Sequence, residues 1–91
     1  MQSDIKEIYD MKFVISINTP KEKEFTTLSN ARKWLVANQK SGHTTIYKVL
    51  KYGDDYVAGF VKKWNGKHVF YEWDDGWKWV VNKDGTLGRR I

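Results

Sequence analysis

Apolar and polar residues alternate near the start of the chain, and this alternation predicts a strand. Between residues 11 and 18, the apolar side chains at every second position are Met11, Phe13, Ile15 and Ile17. A period of two is typical of a strand that buries one face. Pro20 is expected to end this strand, because proline has no N–H to donate and restricts the residue before it.

The apolar spacing then changes to that of a helix, which we expect between about Leu28 and Lys40. Thr27 is the predicted N-cap, and Gly42 supplies the C-terminal stop. Leu28, Ala31, Leu35 and Asn38 fall on one stripe, with Trp34 at its flank. Because this stripe holds only three or four apolar residues, the helix is expected to be a thin cover for the surface on which it packs.

Residues after Gly42 follow a pattern of strands and turns. Glycine, aspartate and asparagine recur about every ten residues, at 53–55, 65–66, 74–76 and 84–85. This spacing is typical of an antiparallel meander, with predicted strands at about 44–52, 56–64, 67–73 and 77–82. The predicted fold is therefore α+β: one N-terminal strand, one helix and a four-stranded antiparallel meander, with the helix packed on one sheet face.

We expect residues 1–91 to form a single small domain, since two independent cores need a longer chain. No linker composition or long repeat divides the sequence. Residues 1–10 are predicted to be a docked tail or a short helical turn, residues 21–24 a mixed-charge loop, and residues 86–91 a short basic C-terminal tail.

Asn65 and Gly66 form the strongest turn signal in the sequence. A two-residue type I′ turn needs a positive φ at both central positions, which asparagine and glycine tolerate best. The predicted hairpin places Trp64 opposite Lys67, Lys62 opposite Val69 and Phe60 opposite Tyr71.

The other two hairpins are less constrained. Residues 74–76 are interpreted as a three-residue loop with Gly76 left-handed. This register places Trp73 opposite Trp77 and Tyr71 opposite Trp79. A two-residue loop at 75–76 would split the aromatic side chains between the faces, and we prefer the register that keeps them together. A three-residue loop at 53–55 likewise places Tyr52 opposite Tyr56.

These registers sort the strand side chains onto two faces. The aromatic face carries Ile46, Leu50, Tyr52, Tyr56, Ala58, Phe60, Trp64, Val69, Tyr71, Trp73, Trp77, Trp79 and Val81, interrupted by Lys48, Lys62 and Lys67. The second face is more aliphatic and includes Gly59 and Phe70. In one interpretation the helix covers the aromatic face, which is then the core. In the other it covers the aliphatic face, where Gly59 allows close approach, and the aromatic face meets a partner.

Composition narrows the class of protein. The 91 residues include 16 Lys plus Arg against 11 Asp plus Glu, a net charge of +5, and no cysteine. The lack of cysteine excludes disulfide scaffolds, thiol nucleophiles and cysteine-based zinc sites. No apolar run is long enough for a membrane span and no secretion signal is visible, so we expect a soluble, cytoplasmic protein without membrane contacts.

Candidate catalytic and metal-binding residues are few. His43 and His68 lack the paired spacing of zinc ligands. The aspartate pairs at 54–55 and 74–75 stand in turns, where aspartate is favoured for its local hydrogen bonding. The sequence therefore predicts no enzyme activity, no metal site and no cofactor.

Lysines interleaved with aromatic residues are the main functional signal. The candidate binding surface consists of Lys48, Lys62, Lys63, Trp64, Lys67, Trp77, Lys78, Trp79, Arg89 and Arg90. Proteins that bind single-stranded nucleic acid combine cations that follow the phosphates with rings on which bases stack. Nucleic acid is therefore the first predicted partner.

Two other interpretations use the same surface. One is a phage- or mobile-element-encoded inhibitor, of the anti-CRISPR type, that binds a host nuclease, defence protein or other nucleic-acid-processing protein. Tryptophan and tyrosine are favoured anchors of protein interfaces. The other is a homodimer joined through the aromatic sheet face, which is compatible with either function.

Overall fold

A computed structural model describes residues 11–15, 23–50 and 55–91 of the chain. These residues form one helix, α1 (Leu28–Asn38), and one antiparallel sheet of seven strands. The strands are β1 (Lys12–Ile15), β2 (Lys23–Phe25), β3 (Gly42–Val49), β4 (Asp55–Trp64), β5 (Lys67–Glu72), β6 (Lys78–Val81) and β7 (Leu87–Arg90). They lie in the order β2-β1-β3-β4-β5-β6-β7, and the predicted α+β class is confirmed.

The sheet has more strands than the sequence pattern predicts. β2 occupies part of the segment predicted as a charged loop, and it pairs with β1. β7 replaces the predicted basic tail at 86–91 and pairs with β6. Both strands are short and carry charged side chains, so hydrophobic alternation does not reveal them. The predicted tail at 1–10 and the predicted continuation of the first strand beyond Ile15 lie outside the described residues.

α1 begins at the predicted N-cap. The Thr27 hydroxyl accepts a hydrogen bond of 3.1 Å from the backbone N–H of Asn30, and Thr27 itself has extended backbone. The helix ends at Asn38 because Gln39 returns to extended backbone, slightly earlier than predicted. Its buried residues are Ala31, Arg32 and Leu35. With so few apolar side chains facing the sheet, the helix is the thin cover that its sequence predicts.

One apolar cluster lies between α1 and the sheet. It consists of Phe13, Ile15, Ala31, Leu35, Ile46, Val61, Phe70 and Val81. Phe70 is the largest of its fully buried side chains. Because the helix supplies only two members of the cluster, most of the buried apolar area comes from the strands.

A buried arginine connects α1 to the turn between β6 and β7. Arg32 is only 6% exposed, and its Nε donates a hydrogen bond of 2.8 Å to the Gly85 carbonyl oxygen. Its Nη2 donates to the Ser29 hydroxyl at 3.1 Å, and its guanidinium lies 5.0 Å from the centroid of the Phe70 ring. Burial lowers the pKa of Arg32, and the Glu72 carboxylate opposes that shift. The hydrogen bonds and the ring contact offset the unfavourable desolvation of this charge.

The hairpin between β4 and β5 is formed as predicted. Asn65 and Gly66 have φ values of 50° and 74°, as a type I′ turn requires. Trp64 lies opposite Lys67, Lys62 opposite Val69 and Phe60 opposite Tyr71. All three predicted pairs of this hairpin are confirmed.

The predicted register between β5 and β6 is wrong. Gly76 is left-handed as expected, with a φ of 73°, but the loop spans Trp73–Gly76 and is closed by a 2.9 Å hydrogen bond from the Glu72 N–H to the Trp77 carbonyl. The resulting pairs are Tyr71 with Lys78 and Phe70 with Trp79. A left-handed Gly76 is compatible with either loop length, and the longer loop lets Trp79 pack against the core beside Phe70.

A bulge in β4 overturns the predicted pairing with β3. Ile46 pairs with Gly59 and Tyr47 with Val57, which leaves Ala58 as the extra residue. On the other side of the bulge Val49 pairs with Asp55, which the sequence placed in the loop, and Tyr56 lies opposite Lys48. Tyr52, the predicted partner of Tyr56, is outside the described residues. As a consequence Ile46 shares a face with Val61. The sequence pattern predicted instead that Ile46 shares a face with Phe60.

α1 covers the face of the sheet that carries Val61, His68 and Phe70, which is the second of the two arrangements predicted from the sequence. Gly59 does allow a close approach, but its neighbour is a strand residue. A Cβ at this position would come within 2.6 Å of the Phe70 ring and would overlap the Tyr71 carbonyl oxygen. The glycine therefore makes room for the ring of Phe70 rather than for the helix.

We expect Gly85→Ala to lower the free energy of unfolding by about 2–5 kcal/mol, from left-handed backbone strain and overpacking together. The residue has a φ of 87°, and a Cβ would overlap the Ser29 carbonyl oxygen and lie 2.8 Å from the Lys33 nitrogen. Urea denaturation measures the change.

Gly76→Ala is the matched control for this contact. Its φ is 73°, but nothing lies within 4 Å of the added Cβ. Backbone strain alone should lower its free energy of unfolding by about 1–2 kcal/mol. Equal losses in the two variants would show that the contact between α1 and the Gly85 turn contributes little.

Candidate nucleic-acid interface

The sheet face opposite α1 has no helix packed on it in the described part of the chain. We call it the open face, and its central residues are His43, Thr45, Tyr47, Phe60, Lys62, Trp64, Lys67, Val69, Tyr71, Lys78 and Val80, placed by strand pairing and alternation. The one helix of residues 11–15, 23–50 and 55–91 lies on the other side. The open face is therefore the first place to look for a ligand.

A row of four side chains crosses the open face from β3 to β6. Phe60 and Tyr71 stack in parallel, with ring centroids 4.6 Å apart and an angle of 7° between the planes. His43 contacts Phe60 edge-on, with its centroid 5.6 Å away, and the Lys78 ammonium lies 5.5 Å from the Tyr71 ring. Since β3 and β6 flank β4 and β5, the two central rings have a neighbour on each side.

The tip of the β4–β5 hairpin combines one exposed ring with lysines on both strands. Trp64 is 65% exposed. Lys67 is its cross-strand partner, and Lys62 lies on the same face two residues earlier. The type I′ turn holds the two strand ends in a fixed register, so the ring and both ammonium groups project from the same side of the hairpin.

Four of the ten residues of the predicted binding surface, Lys62, Trp64, Lys67 and Lys78, lie on the open face by strand pairing. Arg89 stands where the β6–β7 pairing shifts by one residue, so alternation assigns it to neither face. Lys48, Lys63, Trp77, Trp79 and Arg90 lie on the helix-bearing side. The structure therefore brings together the β4–β5 lysines around Trp64 but separates them from the tryptophans of β6.

Trp79 belongs to the core margin rather than to a binding surface. It packs against the apolar cluster, and its indole N–H donates a hydrogen bond of 3.1 Å to the Glu72 carboxylate. Trp77 lies beside it, and the Arg90 guanidinium stands 3.8 Å from the centroid of the Trp77 ring. The one-residue change in the β5–β6 register moves these rings away from Trp64.

His43, Phe60 and Tyr71 are candidate site residues that the sequence pattern did not select. The pattern placed His43 in a loop, but β3 begins at Gly42 and carries His43 beside Phe60. Phe60 and Tyr71 were expected on the aromatic face but not in the binding surface. Their signal was the confirmed β4–β5 register, which sets two aromatic residues directly opposite each other.

Positive charge dominates the centre of the open face. Lys62, Lys67 and Lys78 form no ion pair within the described residues. The carboxylates that alternation places on this face are Glu24, which Lys12 engages at 2.6 Å, and Asp55 at the start of β4. The three lysines are therefore available to an anionic ligand.

A buried histidine lies on the opposite, covered face, at the end of α1. His68 is 8% exposed, and its Nε2 has no hydrogen-bond partner among the described residues. Beside it, Gln39 Nε2 donates to the Val61 carbonyl at 2.8 Å and to the Gly42 carbonyl at 3.2 Å. Burial lowers the pKa of His68 below its usual 6.5, with a contribution from Lys63, while a hydrogen bond with the Gln39 backbone opposes the shift.

Comparison with known proteins adds no functional information. No family model matches the chain, and no curated protein or solved structure is significantly similar to it. Among the described residues, none of the His, Asp and Glu side chains form a group of three that could hold a metal ion. The described part of the chain also contains no helix with the length and apolar character that a membrane span needs. Evidence for function is therefore sought in the residues of the open face.

We expect Trp79→Ala to lower the free energy of unfolding by about 2–4 kcal/mol, because it removes a ring that packs against the core. Trp64→Ala should change it by less than about 0.5 kcal/mol, since that ring is exposed. Thermal or urea unfolding of both variants measures the difference. A large loss for Trp64→Ala would show that its ring is a structural residue.

We expect the free energy of unfolding to fall as the pH drops below about 6.5, because the unfolded chain then protonates His68 more readily than the folded chain. Above that pH His68 is neutral in both the folded and the unfolded chain, so its protonation no longer lowers the free energy of unfolding. Urea midpoints measured from about pH 8 to about pH 5 follow this change. His68→Gln should flatten the profile.

Proposed function

We propose that this protein binds nucleic acid through the open face. The observation that carries the proposal is the hairpin tip, where Lys62 and Lys67 flank the exposed ring of Trp64 on a face that no described element covers. Lysine ammonium groups supply the favourable contacts with phosphates, and a free ring supplies a surface on which a base stacks.

The charge of the chain supports the same ligand. The net charge is +5, and the lysines at the centre of the open face have no carboxylate partner among the described residues. A polyanion gains free energy on binding such a surface by releasing condensed counterions. An acidic protein partner would gain less from it, because its carboxylates are not arranged in a continuous line.

The shape of the open face also suits a long, thin ligand. The row from His43 to Lys78 crosses four neighbouring strands, and adjacent strands are about 4.8 Å apart, so the row is about 14 Å long. Lys62 and Lys67 lie nearer the hairpin tip, beside this row. A nucleic-acid backbone that runs along β4 and β5 from the hairpin tip towards this row meets Lys67 first, then Lys62, and then Lys78 opposite Tyr71.

We expect the double variant Lys62→Ala and Lys67→Ala to weaken binding of a fluorescein-labelled oligothymidylate of roughly 20 nucleotides. The slope of log affinity against log salt should decrease by about 1.4, which corresponds to two lost phosphate contacts on a single strand. Fluorescence anisotropy between about 25 and 200 mM salt measures both quantities.

The double variant Lys33→Ala and Lys40→Ala is the matched control. It removes the same charge from exposed positions on α1 and directly after it, away from the open face. It should lose much less affinity and keep most of the salt slope. Equal effects in the two double variants would contradict a site on the open face, and no binding by the unaltered protein at low salt would contradict the function.

A further inference from the structure

The Phe60–Tyr71 pair does not provide a flat surface for bases, although it is the most prominent aromatic feature of the open face. Ring planes only 7° apart with centroids at 4.6 Å, the spacing of neighbouring strands, mean that the rings stand upright on the sheet and cover each other's inner sides. His43 and Lys78 lie against the outer sides. The pair therefore presents ring edges to a ligand, and its π faces are already occupied.

Trp64 is the most exposed large aromatic ring of the open face, and its π surface is available. Its side chain is 65% exposed, and no ring or cation contact involves it within the described residues. The indole is the largest side-chain ring, and stacking of a base on such a ring is sequence-tolerant because every base has a π face.

We infer that the ligand of this site is single-stranded nucleic acid, one base of which leaves its own stack and lies on the Trp64 indole, while Lys62 and Lys67 contact the phosphates beside it. This inference rests on the proposed function. The bases of a duplex are stacked on each other, so a duplex can reach the lysines but not the indole unless a base is first unstacked. The ring thus selects the single strand, and the lysines supply affinity for either form.

The geometry of the β4–β5 hairpin tip allows Trp64 to stack on a base while a neighbouring lysine contacts a phosphate. Trp64 and Lys67 are directly opposite, and side chains at such positions have Cβ atoms about 5 Å apart. A base on the indole therefore brings the phosphate of its own nucleotide within reach of the ammonium group. The type I′ turn fixes the two residues before binding, so little conformational entropy is lost when the base docks.

Anisotropy titrations with a labelled oligothymidylate and with a duplex of the same length test the inference. Trp64→Ala should weaken binding of the single strand roughly tenfold and leave duplex binding nearly unchanged. Trp64→Phe should keep part of the affinity, because a smaller ring still stacks. Trp73→Ala is the matched control, since Trp73 is 60% exposed in the β5–β6 loop and is not flanked by lysines on both strands.

The possible results distinguish the base-stacking inference from the proposed nucleic-acid binding on which it rests. Salt-dependent binding that is equally strong for single strand and duplex, with Trp64→Ala behaving like Trp73→Ala, would overturn the base-stacking inference and leave nucleic-acid binding in place. No binding of either form by the unaltered protein at about 25 mM salt would overturn both. A selective loss of single-strand affinity in Trp64→Ala would support the inference.

Discussion

The buried guanidinium of Arg32 is the interaction on which the arrangement of helix and sheet depends. α1 buries only two apolar side chains, so apolar contact alone holds it weakly on the sheet. Arg32 adds a hydrogen bond to the Gly85 carbonyl and a contact with the Phe70 ring, and Gly85 itself lies against the backbone of the helix. These contacts join the helix to the β6–β7 turn, far along the chain. They hold the helix on the face that carries Phe70, and the opposite face has no described element packed on it.

The sequence predicts the fold well where a residue pair permits one geometry only. Asn65 and Gly66 both require positive φ, and the register of the β4–β5 hairpin follows from that requirement. Gly76 is less restrictive, because a left-handed glycine ends loops of different lengths, and the chosen register was one residue out. The bulge at Ala58 has an ambiguous sequence signal, because the isolated glycine that follows it marks either a bulge or a close approach in a strand. Hydrophobic alternation does not predict β2 and β7, because the backbone pairing of short edge strands needs no apolar pattern.

The residues of the candidate site were likewise placed correctly where a turn determines the strand register, and misplaced where it does not. Lys62, Trp64 and Lys67 were grouped correctly because they belong to the one hairpin whose register is fully determined. Trp79 was misplaced because its face depends on the length of the next loop, and Phe70 with Glu72 provides a better environment for it than the open face does. His43 could have been recognised only by knowing that β3 starts at Gly42. Local turn chemistry therefore predicts the centre of the site, whereas its margins depend on tertiary packing.

The two outer strands place charged side chains at the edges of the sheet. Among the described strands, β2 and β7 lie at the two edges, with Lys23 and Glu24 on one and Arg89 and Arg90 on the other. An edge strand offers unpaired N–H and C=O groups to any further strand, and this is a common route to aggregation. A second copy of β7 added to the same edge would bring arginine side chains of one copy near those of the other, and such like-charge contacts are unfavourable. Arg89 and Arg90 thus disfavour growth of the sheet by strand addition at the β7 edge.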